Sequence, residues 1–163
     1  MTDQTAQFGA DEDRPNTILH PPTVIFTALI IGYVMRVAFG GLLPLPRAFA
    51  EGVGELLVIA SVGVMMFSVS KFAEDGEILS PNTPSRMLIK DGPFRYSRNP
   101  IYLSMVTFGV GLGIATSNLW TVVTTVVAGV LFHYVVIPAE ERYLEDKFGP
   151  AFEEYKNSVR RWM

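Results

Sequence analysis

Between Lys90 and Tyr102 the chain reads Lys-Asp-Gly-Pro-Phe-Arg-Tyr-Ser-Arg-Asn-Pro-Ile-Tyr, with three cations, two prolines and three aromatics in one short polar segment. A second polar group, Glu140-Glu141, stands just beyond the last apolar run. Guanidinium groups suit a carboxylate or phosphate, carboxylates suit an ammonium or ribose hydroxyls, and aromatic rings suit a flat base. Together they would fit a small ligand of mixed charge that carries a ring. A plainer reading stands beside this one: basic residues at a membrane edge set topology, and Glu-Glu can simply begin a surface helix. The chain has no cysteine, and His20 and His133 are far apart, so no metal centre is expected.

These residues must be positioned by apolar elements. Hydrophobic residues make up 49% of the chain and charged ones only 18%, and the mean hydropathy is positive, which is too apolar for a soluble domain of this size. A net charge of -3 implies no attraction to nucleic acid. Residues 1–20 read as a mobile acidic tail, too acidic to open a signal peptide. Residues 21–163 read as one membrane domain. Four apolar runs predict transmembrane helices at about 23–43, 53–70, 100–117 and 119–138, a span needing about 20 residues. Leu144, Phe148, Phe152, Tyr155 and Val159 then recur at helical spacing. They predict an amphipathic surface helix over about 139–159, interrupted at Gly149-Pro150. The expected fold is an all-α integral membrane bundle of four transmembrane helices plus this C-terminal helix.

Ten of the thirteen Lys and Arg fall between the second and third runs or after the fourth, which places that side, both termini and the site in the cytoplasm. Thr116-Ser117-Asn118 is a tight connection, so the runs on either side of it must be antiparallel neighbours. At 1.5 Å per residue, Pro100 lies about 26 Å and Pro138 about 30 Å from that turn. Arg98, Asn99 and Tyr102 should therefore meet Glu140 and Glu141 at one surface.

The segment Gly92-Pro93-Phe94-Arg95-Tyr96-Ser97-Arg98-Asn99-Pro100-Ile101-Tyr102, the apolar hairpin, Glu140-Glu141 and Phe148-Gly149-Pro150-Ala151-Phe152-Glu153-Glu154-Tyr155 together resemble the isoprenylcysteine carboxyl methyltransferase family. The related phospholipid N-methyltransferases look similar. The likeness covers about residues 80–161 and rests on the ordered combination. It implies an integral membrane enzyme that binds S-adenosylmethionine at the cytosolic end of the last helices. By position, it implies that Arg86, Met87, Leu88 and Ile89 run along this cofactor, that Phe94 flanks it, and that Asn99, Pro100, Ile101 and Tyr102 wall it in. Arg98 and the Glu140-Glu141 pair complete the cofactor set, with Glu140 closing the site. Asn99 stands where the family most often has histidine. Gly109-Val110-Gly111 matches a Gly-x-Gly of the phospholipid enzymes, although Gly109 and Gly113 also form a small-xxx-small pair suited to helix packing. Val136 occupies the place of an arginine by which the eukaryotic prenylcysteine enzymes engage substrate.

The resemblance makes the expected reaction methyl transfer to a lipophilic or membrane-embedded acceptor, through a carboxylate, amine or thiol. Such a reaction needs alignment and exclusion of water more than a covalent residue. The expected partners are the methyl donor, the lipophilic acceptor and membrane lipids. If a proton must leave the acceptor, His133, seven residues before Glu140, is the catalytic candidate within a span, with a packing role as the alternative. Arg36 is the second candidate, because a charge inside a span suggests function. It could also snorkel, or pair with Glu51 or Glu55. Two other functions fit the composition: an NADPH-dependent membrane reductase of the sterol-reductase type, and a non-catalytic scaffold or lipid-binding protein.

Overall fold

The computed structural model describes residues 19–74 and 87–163; most of the expected acidic tail lies outside the described residues. The fold is all-α. The helices are α1 (Pro21–Phe39), α2 (Arg47–Glu74), α3 (Pro100–Ala115), α4 (Leu119–Phe148) and α5 (Pro150–Ser158), with a 3-10 turn at Gly92–Arg95. The only extended pairing among the described residues is a single bridge between Leu42 and Asn118.

Helix boundaries follow local chemistry. Prolines open α1, α3 and α5 at positions where their missing N–H costs nothing. The α1 helix stops at Gly40 and Gly41, both with positive φ. Asn118 caps α4: its side-chain oxygen accepts from the Trp120 and Thr121 amides at 3.1 and 3.3 Å. Gly149, with φ 52°, separates α4 from α5 at the expected break.

Among the described residues, three helices are long and apolar enough to cross a membrane: α1, α2 and α4. The fourth apolar element, α3, has 16 residues, because Pro100 fixes its start and the Thr116–Asn118 turn its end. α3 packs between α2 and α4, and α1 lies against α4. The outward faces stay apolar: Phe26, Tyr33 and Val37 are each about two-thirds exposed, at 64%, 67% and 70%. Surface of that kind belongs against lipid, and the chain is an integral membrane protein.

Small residues set the helix spacings. A Cβ on Gly109 would lie 2.6 Å from Thr125, one on Gly113 2.7 Å from Val122, and one on Gly111 2.9 Å from Leu57. The Gly-x-Gly of α3 is thus built into contacts with both neighbouring helices. Gly54 is tighter still, since a Cβ there would stand 2.3 Å from the Ala115 amide nitrogen. Gly54→Leu is expected to cost about 1–3 kcal/mol by forcing α2 from α3. Gly52→Leu faces open space and should be near neutral, so comparing the two melting curves in detergent checks the effect.

The fourth apolar run does not end at Pro138. Proline has no N–H, and its ring would collide with the carbonyl four residues back. The helix passes the obstacle with a π-turn at Phe132–Val136, in which the Ile137 N–H donates to the Phe132 carbonyl. Residues 137–148 therefore continue α4, where the sequence predicts a separate surface helix beginning near 139.

Candidate functional site

The α3–α4 hairpin brings the two polar groups together. The Tyr102 hydroxyl donates to Glu140 Oε1, and Arg98 Nη2 donates to Glu141 Oε1 at 2.8 Å. Two adjacent carboxylates have thus acquired different surroundings. Glu141 is held between two arginines, Arg98 and Arg161, with its side chain only 9% exposed. Glu140 is half-buried and has the Tyr102 hydroxyl as its partner, and its Oε2 makes no hydrogen bond among the described residues. It is the carboxylate with capacity to spare.

The Ser97–Asn99 segment is tied to the C-terminal residues. The Arg98 amide donates to the Arg160 carbonyl at 2.9 Å, and Asn99 Nδ2 donates to the Arg161 carbonyl at 3.0 Å. Arg98 Nη1 also donates to the Lys156 and Val159 carbonyls. Among the described residues, every hydrogen bond of Arg98, expected at the cofactor, goes to Glu141 or this tail. Glu141 is likewise engaged by the two arginines. Both are paired for a simple reason: burial makes an unpaired charge costly, so each is neutralised within the protein.

The α5 helix closes over the other side of the loop. Phe152 and Tyr155 are buried, the Tyr155 hydroxyl donates to the Phe94 carbonyl at 2.7 Å, and Lys90 Nζ donates to the Ala151 carbonyl at 3.0 Å. Burial pushes the Tyr155 phenol up to about 12, so it remains a donor at neutral pH. Phe94 is buried edge-on against Phe72, with ring centroids 5.8 Å apart. Ile89, Asn99, Pro100 and Tyr102 are buried, Leu88 and Ile101 half-buried, and Met87 exposed. Arg86 lies outside the described residues.

Both catalytic candidates have partners of their own. Arg36 sits at the opposite end of the bundle, donating to the Thr116 and Ser117 carbonyls at 3.2 and 2.6 Å. Those carbonyls close the hairpin turn, about 30 Å along α4 from Glu140. They hold the guanidinium more directly than Glu51 could, since Glu51 is paired with Arg47. His133 Nδ1 accepts from the Trp162 indole N–H at 3.0 Å. An imidazole that accepts at Nδ1 has its one basic lone pair engaged, here by Trp162. The π-turn also changes its register. An unbroken heptad returns within about 20° of the same face. The extra residue of the π-turn puts His133 in line with Glu141 rather than Glu140.

An apolar groove of about 220 Å³ opens between α1, α2 and α3, lined among others by Ile25, Phe26, Met65, Met66, Met105 and Phe108. Ile25 and Met105 also pack into the cluster that contains Tyr102 and Phe132, so the groove reaches the same end of the bundle as Glu140.

Residues 50–151, well over half of the chain, match the family described as phospholipid methyltransferase. The chain belongs to the phospholipid methyltransferase family. No curated protein matches the chain. The phospholipid methyltransferases share a membrane methyltransferase clan with the isoprenylcysteine enzymes, which are a neighbouring branch. Membership makes this protein an S-adenosylmethionine-dependent methyltransferase.

Three site features escaped sequence reasoning: Arg161, Trp162 and the π-turn. Arg160 and Arg161 were legible only as topological charge. Pro138 before an acidic pair was the available signal for a helix that deforms and continues.

Proposed function

We propose that the protein transfers the donor's methyl group to the headgroup amine of a membrane phospholipid at the cytoplasmic end of a four-span bundle. In this reading α3 is the fourth span, a short one. The observation that carries the proposal is Glu140, a half-buried carboxylate with one oxygen on Tyr102 and the other free. Its free oxygen suits the hydroxyls or ammonium of the donor, and the main chain of Met87–Ile89 together with Phe94 suits the flat base. When bound, the donor supplies a methyl group already activated by its sulfonium.

The protein's own task is alignment and exclusion of water. Tyr102 holds Glu140, Phe94 and Phe72 form an apolar side, and α5 roofs the loop. The acceptor headgroup approaches with its lone pair in line, and the apolar groove leads from the bilayer to the same end of the bundle. His133 is committed to Trp162, so the acceptor's proton leaves to solvent. An amine is favoured over a carboxylate acceptor because Val136, 1% exposed, is a core residue of the π-turn and Arg36 is at the far end. Among the described residues, neither Val136 nor Arg36 therefore offers a carboxylate a cation at this site.

Incubating membranes with methyl-labelled donor tests the reaction, with label expected in an amine-containing phospholipid. Label confined to prenylated protein or to a water-soluble product would overturn the acceptor assignment. Orientation is checked separately, because the chain lacks cysteine. Ser158→Cys should react with an impermeant thiol reagent only after cells are permeabilised, and Leu45→Cys in intact cells; the reverse pattern would invert the topology.

A further inference from the structure

We propose that Arg98 and Arg161, acting through Glu141, are positioning residues: they set the rotation of α4 below its π-turn and so aim Glu140 at the donor site. The inference rests on the donor-site assignment above.

The π-turn is a joint. Its Ile137 N–H bonds five residues back, and Pro138 brings no N–H to continue the ladder. In the same i-to-i+5 pattern the His133 carbonyl would look to Pro138 for a donor and find none. Arg161 Nη1 stands in, at 3.4 Å. The same guanidinium donates through Nε to Glu141 Oε1 at 3.2 Å and through Nη2 to Oε2. Arg161 thereby bridges the two sides of the joint, His133 above and Glu141 below.

Arg98 completes the brace from α3's side. Its Nη2 and Nε reach Glu141 Oε1 at 2.8 and 3.3 Å. The backbone that carries Arg161 is fixed by Arg98, Asn99 and Ser97 through the Arg160 and Arg161 carbonyls. Trp162 lies stacked on His133, ring centroids 6.2 Å apart, and closes the tail against the joint. Glu140 lies one residue before Glu141, about 100° round the helix from it. Pinning Glu141 from both sides therefore leaves Glu140 only the direction of Tyr102.

The test uses the full chain in detergent micelles, with S-adenosylhomocysteine as the probe and Arg161→Ala, Arg161→Lys and Glu141→Gln as variants. The chain has two tryptophans, and Trp120 sits at the far end of the bundle against Gly40. A Trp120→Phe background therefore makes Trp162 the sole fluorescent reporter. Arg161→Ala should raise the Kd about tenfold, the scale of coupling between groups in one network. Arg161→Lys should recover part of that loss, and acrylamide quenching of Trp162 should rise in Arg161→Ala. If Glu141→Gln does not fold, the two Arg161 variants carry the test alone.

Unchanged quenching overturns the brace. Increased quenching with an unchanged Kd overturns the positioning role and leaves a purely structural tail, the result expected if the triad only stabilises the fold. Absence of saturable binding to the wild-type chain overturns the donor-site assignment and this inference with it, and is distinguishable because wild type binds in both other failures.

Discussion

Glu140→Gln is expected to weaken S-adenosylhomocysteine binding by roughly a hundredfold while leaving the protein folded. The amide oxygen of glutamine can still accept from Tyr102, so the contact that seats residue 140 survives. What disappears is the charge. A hydrogen bond to a charged group is worth about 1.5–3 kcal/mol, so losing one near the top of that range on the free oxygen is roughly a hundredfold in affinity. Calorimetric titration of wild type and variant checks it, with the melting curve confirming that the fold is intact. Equal affinities would remove Glu140 from the site.

Tyr102→Phe should be milder. It removes the hydroxyl that seats Glu140 but keeps the charge that meets the ligand, so only positioning is lost and the Kd should rise less than about tenfold.

Glu141→Ala should behave in the opposite manner, with a large loss of stability. Arg98 and Arg161 have side chains only 10% and 28% exposed, and both face Glu141. Removing the shared carboxylate leaves two like charges together in a poorly solvated place, which costs about 3–5 kcal/mol. The apparent melting midpoint in detergent should fall by roughly 10 °C. Arg98→Ala should cost a similar amount, because it also frees the Lys156 and Val159 carbonyls. The exposed pair between Arg47 and Glu51 is a control: Glu51→Ala should shift the midpoint by less than about 2 °C. A Glu141→Ala protein as stable as wild type would show that the arginines find water instead.

The two neighbouring glutamates thus separate by environment. One is spent on holding the tail, and the other retains an oxygen for a ligand. Their adjacency in sequence gives no hint of which is which.

Much of the fold was legible for a physical reason: apolar run length and turn chemistry act locally. The break at Gly149-Pro150, the helix starts at Pro100 and Pro150, and the tight turn at Thr116–Asn118 are each encoded by residues a few positions apart. The meeting of Tyr102 and Arg98 with Glu140 and Glu141 was also within reach. A short turn between two stiff rods leaves their far ends no other place to go.

Local signals misled where a residue's partner lay elsewhere in the chain. Among the described residues Arg36 meets no acidic partner, and it closes a turn eighty positions away through backbone carbonyls. His133 is met by Trp162, and Arg98 by the carbonyls of Lys156, Val159 and Arg160. Pro138 reads as a helix stop, yet the cost of stopping there would be losing the packing of Val136 and Ile137 in the core. A π-turn preserves that packing.

By itself the sequence determined an apolar helical bundle, its hairpin, and the polar groups that the hairpin must bring together. It also carried the family likeness across residues 50–151. Only the tertiary structure decided how the charges were shared. Hydrophobic periodicity and turn chemistry are written in near neighbours, whereas the pairing of a buried charge depends on which distant group reaches it first. Arg161 reaches Glu141, and Glu140 is left open.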